Sequence, residues 1–400
     1  MKASKVASIV SLMIFMTAFN VNAGGLYLYE IATEDLGLAG AGMAARAQDA
    51  STVVSNPAGM MYLDGNQLTV GGQLLYGNLD YDVEDERLED GGNAVGALPA
   101  ASLFYSHSVN ERLRLGVGLY GNFGLSLGFN DDWAGRNLVK DSTMMGLTLQ
   151  PAMAYSLNNQ WVLGIGVGIN YGIFSLTRDR ANGVGEVEQN DHDWAANLRL
   201  GLLYTPSEQT RIGLTYTSAV KYDFNINATG NLPISGEEWQ IPINTSVNAP
   251  QQIMLSGFQQ LNTRWALLGD LGWQDWSNFS KMDTTVGNKQ VASILHLQDT
   301  WHAAVGIQYQ ISQVTRINTG VAYDTSMYQD QMNTSFLMPA GDTWRLGIGV
   351  QQELGITSSV GAAFEYLMSE DANVSSPAVL AGRYHDPNMF FFAINYNQRF

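Results

Sequence analysis

The 400-residue sequence contains no cysteine, which excludes disulfide frameworks, thiolate metal sites and cysteine nucleophiles. Charge is also scarce, because Asp, Glu, Lys and Arg make up only 14% of residues, against about 25% in soluble globular proteins. Most of that charge is negative, with 37 Asp and Glu against 20 Lys and Arg. A nucleic acid is therefore not an expected partner, since phosphate binding requires a basic surface.

Long apolar runs are missing beyond the first twenty residues. Lys2 and Lys5 precede an apolar stretch from Val6 to Phe19, and small residues follow at Val21-Asn22-Ala23. The stretch is too short for a bilayer core of about 30 Å, which needs about 20 residues. Residues 1–23 are therefore predicted to be a cleaved secretory signal, with a retained N-terminal anchor as the alternative.

The sequence has a strong two-residue period instead. Between Trp161 and Gly172 the odd positions are all apolar, whereas the even positions are mostly glycine. The same alternation surrounds Leu113, Trp265 and Trp344. A soluble sandwich would carry Lys and Glu on its second face, but here that face has Gly, Asn, Thr, Gln and a few Arg. The pattern predicts strands that are apolar towards lipid and polar towards an interior, as in a transmembrane β-barrel.

The spacing of these strands predicts their number. Six short connections, around 110, 158, 206, 262, 312 and 354, alternate with seven long ones. Bacterial barrels alternate short periplasmic turns with longer outer loops, so thirteen connections predict 14 antiparallel strands in an all-β fold. The strands are predicted near 66–79, 98–108, 111–127, 142–157, 160–178, 192–205, 209–225, 247–260, 263–279, 297–311, 314–325, 342–353, 356–369 and 388–400.

Residues 24–65 do not fit a barrel strand. Small residues dominate from Leu36 to Thr52, and Asn56-Pro57 interrupts the pattern. A compact segment of small residues fits inside a lumen lined with glycine, and a 14-stranded barrel is wide enough to hold one. We predict an N-terminal hatch over 24–65 and a barrel over 66–400, the alternative for 24–65 being a mobile periplasmic tail.

Several short motifs resemble one known family. The hatch candidate contains Asn56-Pro57-Ala58-Gly59-Met60, and the later matches follow in the order that the family shows. Together they make the chain similar to the FadL/TodX family of outer-membrane transport proteins. The further matches are Phe123-Gly124-Leu125, Trp133 with Gly135-Arg136, Pro151 with Ala154-Tyr155, Gly213-Leu214-Thr215-Tyr216 with Lys221, Trp273-Gln274-Asp275-Trp276-Ser277 with Phe279, and Asp342-Thr343-Trp344.

The resemblance implies a function and a location. Its members take up long-chain fatty acids or aromatic hydrocarbons across the outer membrane of Gram-negative bacteria. They capture the ligand at an apolar outer-loop groove, and movement of the hatch and a kinked barrel wall release it sideways. The implied partners are hydrophobic small molecules, outer-membrane lipid and lipopolysaccharide, with the protein as a monomer. A general porin, or a surface barrel acting as an adhesin or phage receptor, is the alternative.

Candidate ligand contacts fall into two groups. Lys221, Arg199 and Arg345 lie on inward faces and are predicted to bind a fatty carboxylate by charge-assisted hydrogen bonds, unless interior acids such as Asp270 and Glu365 pair with them. Apolar residues of the outer connections are predicted to form the capture groove, unless they pack the loops onto the barrel rim. These groove residues are Leu125, Leu127, Phe129, Trp133, Leu138, Met144 and Met145.

Catalytic and metal sites are not predicted. The five histidines form no metal pair at helical spacing, and Asp191-His192-Asp193 is placed in a long connection. No nucleophile–base pair or phosphate-binding loop is recognisable. The acidic run from Asp80 to Asp90 lacks the spacing of a calcium loop and is predicted to be solvated, with bridging of lipopolysaccharide through divalent ions as the alternative. We therefore expect a non-enzyme without cofactor or metal.

Overall fold

The computed structural model describes residues 31–180, 185–231, 238–281, 284–291, 296–375 and 380–400. The predicted signal over 1–23 lies outside these residues, as does the first part of the predicted hatch. Two short helices come first, α1 (Thr33–Gly37) and α2 (Thr52–Ser55), followed by a 3-10 turn over Pro57–Tyr62. No helix among the described residues is long and apolar enough to cross a membrane.

Twenty strands follow, most of them long. They are β1 (Gln67–Val83), β2 (Gly92–Asn93), β3 (Gly96–Asn110), β4 (Leu113–Gly128), β5 (Asp141–Ser156), β6 (Trp161–Asp179), β7 (Glu186–Ser207), β8 (Thr210–Thr217), β9 (Val220–Asn231), β10 (Glu238–Ala249), β11 (Gln252–Gln260), β12 (Trp265–Gln274), β13 (Thr284–Val286), β14 (Lys289–Val291), β15 (Thr300–Gln310), β16 (Thr315–Asp324), β17 (Thr343–Glu353), β18 (Ser358–Ser369), β19 (Ala372–Val374) and β20 (Gly382–Arg399).

Fourteen of these strands form one antiparallel barrel. The order runs from β1 through β3, β4, β5, β6, β7, β8, β11, β12, β15, β16, β17 and β18 to β20, and β20 closes the sheet by pairing with β1. The closing pair extends from Gln67↔Arg399 to Val83↔Gly382. The predicted all-β, 14-stranded barrel is confirmed, and the short turns all lie at one end, as the loop lengths predicted.

The two faces of the wall follow the sequence alternation. On β6, Leu163, Ile165 and Val167 are exposed on the outside, whereas the glycines between them face the lumen. Aromatic rings form a belt near each end of the barrel, as expected at the two membrane interfaces. Trp161–Tyr204 (4.2 Å between ring centroids) and Trp265–Tyr309 (4.3 Å) lie at the short-turn end, and Tyr171–Trp194 (4.8 Å) and Tyr323–Trp344 (4.9 Å) lie nearer the other.

Two predicted strands are interrupted in the structure. The segment 209–225 breaks at 218–219 into β8 and β9, and 247–260 starts within β10 and breaks at Pro250 before β11. Proline has no N–H to donate to a strand ladder, so pairing stops there on both strands. Beyond the break, β9 and β10 leave the barrel and form a separate four-stranded sheet with β13 and β14.

Candidate ligand site

The outer half of the lumen is filled by an apolar cluster that the long connections and the outer strand ends build together. We call it the outer apolar cluster. Its buried aliphatic members come from β1, β4, β5, β6, β9, β10 and β19 and from residues 94–95, 139, 297, 327, 337–338 and 380 between strands. Its buried aromatic members are Tyr81, Phe129, Trp133, Phe174, Tyr222, Phe224, Trp276, Phe279, Tyr328, Phe336 and Tyr384.

The aromatic rings of the cluster pack directly on one another. Phe129 stacks on Trp133 with 4.4 Å between centroids, and Tyr81 meets the same Trp133 edge-on at 6.1 Å. Tyr81 also contacts Tyr384 at 4.8 Å. Pairs of this kind stabilise packing beyond the area they bury. These contacts join the outer ends of β1 and β20 to the connection between β4 and β5.

The polar tips of these rings are bonded to loop carbonyls. Trp133 Nε1 donates to Val139 O at 2.7 Å, and Tyr328 Oη donates to Met338 O at 3.0 Å. Tyr81 and Tyr384 donate in the same way to Leu380 O and Phe336 O. Burial raises the pKa of the Tyr328 phenol well above its ordinary value. The cluster therefore presents hydrocarbon to its interior and keeps its polar atoms satisfied at its edge.

A β-bulge places the predicted groove residues of β4. Up to Tyr120 the even positions face the lumen, but the pairing with β5 shifts between Gly121 and Phe123. The extra residue reverses the alternation, so that Leu125 and Leu127 face inward. Together with Phe129, Trp133 and Met144 they are buried in the outer apolar cluster, and Leu138 packs against it.

One predicted groove residue lies elsewhere. Met145 follows Met144 on β5, where successive side chains point to opposite faces. Its side chain is 42% exposed on the outside of the barrel, whereas Met144 is buried inside. The structure thus brings six of the seven predicted groove residues together and separates Met145 from them.

The three predicted basic residues have different surroundings. Lys221 is exposed on the face of β9 opposite the buried Tyr222, so it does not share the inward face predicted for it, and its Nζ lies 3.5 Å from Asp223 Oδ1. Arg199 is buried and donates to Val54 O of the N-terminal segment at 2.6 Å. Arg345 is also buried and lies between two acids of neighbouring strands. Its Nε is 2.6 Å from Asp324 Oδ2 and its Nη1 is 3.3 Å from Glu365 Oε1.

Below the outer apolar cluster, residues 31–65 fill the lumen; we refer to them as the hatch. Ionic contacts bind them internally and to the wall. Arg46 Nη1 lies 2.7 Å from Asp35 Oδ1, and Arg46 Nε lies 3.7 Å from Glu34 Oε2. Arg316 of β16 bonds to Glu34. Burial raises the pKa of Asp35 to about 6, although Arg46 opposes that shift.

Wall arginines also bind the hatch backbone. Arg211 donates to Ala45 O at 2.8 Å and to Arg46 O at 2.6 Å, while its guanidinium lies 3.9 Å from the centre of the Phe258 ring. Arg114 donates to Gly65 O at 2.6 Å. These hydrogen bonds satisfy backbone carbonyls in the irregular parts of the hatch, outside its short helices.

The Asn56-Pro57-Ala58-Gly59 motif forms a corner of the hatch. Asn56 Nδ2 donates to Ala44 O at 2.6 Å and to Leu202 O of β7 at 3.2 Å, while Asn56 Oδ1 accepts from Ala58 N at 3.1 Å. One side chain therefore closes the corner and ties it to the wall. Pro57, with its fixed φ, begins the 3-10 turn directly after it.

Glycines of the wall allow the hatch backbone to approach this closely. A Cβ at any of five inward positions would lie within 2.2 Å of a hatch backbone or side-chain atom, well inside van der Waals contact. These positions are Gly164, Gly201, Gly213, Gly320 and Gly347. The glycine face noted in the sequence is therefore the surface on which the hatch rests.

The short-turn end of the lumen is polar. A crevice of about 340 Å³ lies there between the hatch and the wall, and its lining includes Glu34, Asp49, Arg316, Glu353 and Arg399. Glutamine and asparagine side chains supply most of the remaining lining. Such a surface suits water and is unfavourable for an apolar molecule.

The wall is incomplete beside the β4 bulge. Strand β3 pairs with β4 only from Leu103↔Leu119 to Asn110↔Leu113. Further out, β3 pairs with β1, and β4 pairs with β5. Among the described residues no strand fills the space between the outer parts of β3 and β4. We call this interruption the β3/β4 gap.

Several contributors to the cluster were not recognised in the sequence. Tyr222 and Phe224 are buried in it although β9 is outside the barrel, and Trp276 and Phe279 reach it from the turn after β12. The alternation of Val220, Tyr222 and Phe224 was a usable signal, since it marks one apolar face. The ionic hatch residues Glu34, Asp35 and Arg46 carried no such signal, because a lone charge does not reveal its partner.

One group of three side chains has metal-binding potential in the part of the chain that the structure describes. Asp371, His385 and Asp386 place one ligand atom each within 4.8 Å of one another at the exposed outer rim. Both ring nitrogens of His385, however, already have a carboxylate neighbour. Nδ1 lies 3.5 Å from Asp371 Oδ2, and Nε2 lies 3.1 Å from Asp386 Oδ2. The three side chains contact one another at the solvent-exposed rim, and we assign no metal to them.

Comparison with known proteins gives consistent results. The family model described as outer membrane protein transport protein (OMPP1/FadL/TodX) matches residues 14–400. The chain is 25% identical over 420 residues to the long-chain fatty acid transport protein of Salmonella typhi, covering 94% of each. It is similar in structure to a FadL homologue of Pseudomonas aeruginosa (TM-score 0.81, 18% identity, 94% of this chain and 100% of that one). It also resembles the toluene transporter TodX of Pseudomonas putida (TM-score 0.70, 15% identity, 92% and 98%).

Proposed function

The chain belongs to the OMPP1/FadL/TodX family of outer membrane transport proteins, and from this premise we propose that it is a passive uptake channel for hydrophobic molecules, chiefly long-chain fatty acids. The family makes it a transport protein of the outer membrane and not an enzyme. The relative from Salmonella typhi is named as a long-chain fatty acid transporter and matches over 94% of both chains, which favours that ligand class.

The observation that carries the proposal is the order of two regions along the barrel axis, the outer apolar cluster and the hatch. The outer apolar cluster lies directly above a hatch that is held by ions, amides and backbone contacts. Transfer of each methylene group from water to an apolar environment is favourable by about 0.8 kcal/mol, so an acyl chain partitions into the outer apolar cluster. The polar crevice below offers no such gain. We propose that the ligand is captured in the cluster by Leu125, Leu127, Phe129, Trp133 and Met144.

Release is proposed to occur sideways through the β3/β4 gap. The gap lies beside the bulge that turns Leu125 and Leu127 into the cluster. A ligand leaving there enters the bilayer and avoids the polar crevice at the short-turn end. Movement of the hatch is proposed to free the space that the ligand needs. We further propose that the protein works as a monomer surrounded by lipid and lipopolysaccharide.

The carboxylate of a fatty acid needs a cation. Arg199 and Arg345 already bond to Val54 O and to two wall acids, so their use by a ligand would require those bonds to be exchanged. Lys221 is the exposed member of the three. We therefore propose Lys221 as the first contact of the carboxylate and retain Arg199 and Arg345 as deeper candidates.

The proposal is tested by uptake of labelled oleate and labelled toluene into cells that lack their own transporter, with and without this protein. Faster oleate uptake supports fatty acid transport, and faster toluene uptake alone would move the ligand class to aromatic hydrocarbons. No acceleration of either would contradict the transport role. Planar bilayers provide a second measurement, because steady ion conductance would indicate an open porin and contradict a lumen sealed by the hatch.

A further inference from the structure

A second interruption of the wall lies between β7 and β9. Strand β8 pairs with β7 only from Arg199↔Thr217 to Ser207↔Thr210. The remaining part of β7, 186–198, pairs with β6 on one edge. On its other edge no strand within the described ranges pairs with it. We call this edge, with the edge of β9 that faces it, the seam.

Side chains hold the seam where strand pairing would be expected. Asp191 Oδ2 accepts from Asn225 N at 2.6 Å, and Asp193 Oδ2 accepts from Asp223 N at 2.8 Å. Gln189 Nε2 donates to Asn227 O. The two aspartates alternate along β7 and so point to the same side of it. A few side-chain bonds of this kind are exchanged for water more easily than a continuous backbone ladder, which breaks only as a unit.

The hairpin of β9 and β10 is a continuously paired unit that joins the barrel through two interrupted connections. Both of its connections to the barrel are interrupted at the same level, at 218–219 before β9 and at Pro250 after β10. Between these points the two strands pair continuously from Val220↔Ala249 to Asn231↔Glu238. Strand β13 covers the far edge of β10, so that β9 presents the edge at the seam.

The seam separates two apolar environments. On its inner side Val220, Tyr222 and Phe224 are buried in the outer apolar cluster, and Phe224 lies 5.5 Å from the ring of Phe174. On its outer side Trp194 of β7 is 65% exposed and belongs to the outer aromatic belt. The seam therefore begins at the outer membrane interface and leads directly to the cluster.

We propose that the seam is a side entrance for long-chain amphiphiles that have already partitioned into the outer leaflet, with Asp191 and Asp193 as its latch. The inference rests on the proposed function and adds the route of access. The hairpin swings away from β7, the hydrocarbon tail enters between Trp194 and Phe224, and the polar head follows last along the exposed rim. Entrance at β7/β9 and release at the β3/β4 gap then use different parts of the wall.

Cross-linking tests the entrance. Because the chain contains no cysteine, only the introduced cysteines react with the cross-linker. Asp193→Cys with Asp223→Cys is joined across the seam by a short bismaleimide, which tolerates a range of sulfur separations. Thr343→Cys with Ser369→Cys is the matched control, because these residues face each other on continuously paired strands, with Oγ1 and Oγ 3.1 Å apart. Heat-modifiable migration in gels confirms folding of every variant.

The expected result is a fall of at least about fivefold in the initial rate of oleate uptake when the seam pair is joined, with no change for the joined control. An equal rate for the joined and unjoined seam pair would overturn the side entrance while leaving the proposed function standing. Failure of the wild-type protein to import oleate would instead refute the proposed function, and with it the entrance.

A second measurement separates a latch from a merely structural role. Asp191→Ala with Asp193→Ala removes both acceptors, whereas Asp191→Asn with Asp193→Asn keeps a carbonyl oxygen at each position. In lipid nanodiscs we expect the alanine pair to raise the association rate of a fluorescent fatty acid about threefold or more, with an unchanged dissociation constant, and the asparagine pair to match wild type. An unchanged association rate, or a changed dissociation constant alone, contradicts the latch.

Discussion

The lower and upper halves of the lumen are filled in opposite ways. The lower half holds the hatch through ions, amides and close backbone contact with glycine, and it leaves a polar crevice. The upper half is filled by aromatic and aliphatic side chains whose few polar atoms bond to loop carbonyls. The lower contacts are directional and specific to one partner, whereas the upper contacts tolerate exchange of one apolar group for another.

This difference indicates which half depends on exact partners and which half tolerates exchange of its contacts, as the proposed ligand would require. Removing one member of a directional contact leaves its partner buried and unsatisfied, so the lower half resists partial change. An apolar ligand in the upper half replaces side-chain contacts with similar ones. Changes at matched positions in the two halves test that contrast.

The largest effect is expected from Gly213→Leu, at one of the two tightest contacts between wall and hatch. A Cβ there would lie 1.9 Å from Ala44 O, which is backbone and cannot turn aside. We expect the hatch to be displaced and the variant to conduct ions in planar bilayers, or to fail to assemble. Gly257→Leu on the neighbouring strand is the control, since nothing lies within 4 Å of its Cβ position. Equal behaviour of the two variants would contradict a hatch seated on glycine.

A smaller but still large effect is expected from Arg46→Ala. The change removes the cation beside Asp35 and leaves Glu34 with Arg316 of the wall, and both acids are about 3% exposed or less. Breaking a buried pair in this way costs about 3–5 kcal/mol. Urea unfolding in detergent measures the loss, and Arg87→Ala is the control because its pair with Asp85 is exposed. A loss confined to a few tenths of a kcal/mol would show that the hatch does not depend on this ion cluster.

The pH dependence of the same variant has a definite sign. The pKa of Asp35 is already raised to about 6 in the folded protein by burial, and loss of Arg46 removes a cation that opposes this shift. The folded state then holds a proton that the unfolded state releases above about pH 4, its ordinary pKa. The stability that this proton contributes is present below pH 4 and is lost as the pH rises through 6. We therefore expect Arg46→Ala to lose more stability relative to wild type at pH 8 than at pH 5.

The upper half is tested by two adjacent methionines. Met144→Ala removes side-chain volume from the outer apolar cluster, whereas Met145→Ala changes the lipid-facing surface. Because Met144→Ala removes apolar contact amounting to roughly 1–2 kcal/mol, we expect oleate affinity to fall about tenfold. Affinity should be unchanged for Met145→Ala. A fluorescent fatty acid titration measures both, and a comparable loss for Met145→Ala would restore it to the ligand groove.

The fold was predictable because alternation and loop length are properties of the local sequence. The same alternation places Met145 on the outer face of β5, opposite Met144, so apolar character alone does not assign a residue to the groove. The bulge at Gly121 and Phe123 and the break at 218–219 are invisible to a period of two, since each shifts or ends that period. Partners of charged residues are set by register between distant strands, which is why Arg345 was a candidate for both a ligand and Glu365.

The smallest effect is expected from Lys221→Gln, at the exposed outer rim of the upper half. Its side chain is 55% exposed beside Asp223, so any carboxylate it binds remains largely hydrated. An exposed ion pair contributes about 0.2–1 kcal/mol, and we expect oleate affinity to fall by about two- to fivefold, with toluene binding unchanged. Lys289→Gln, an exposed lysine of the same four-stranded sheet, controls for general charge. Equal losses for oleate and toluene would place the role of Lys221 in the structure of the rim and not in recognition of a carboxylate.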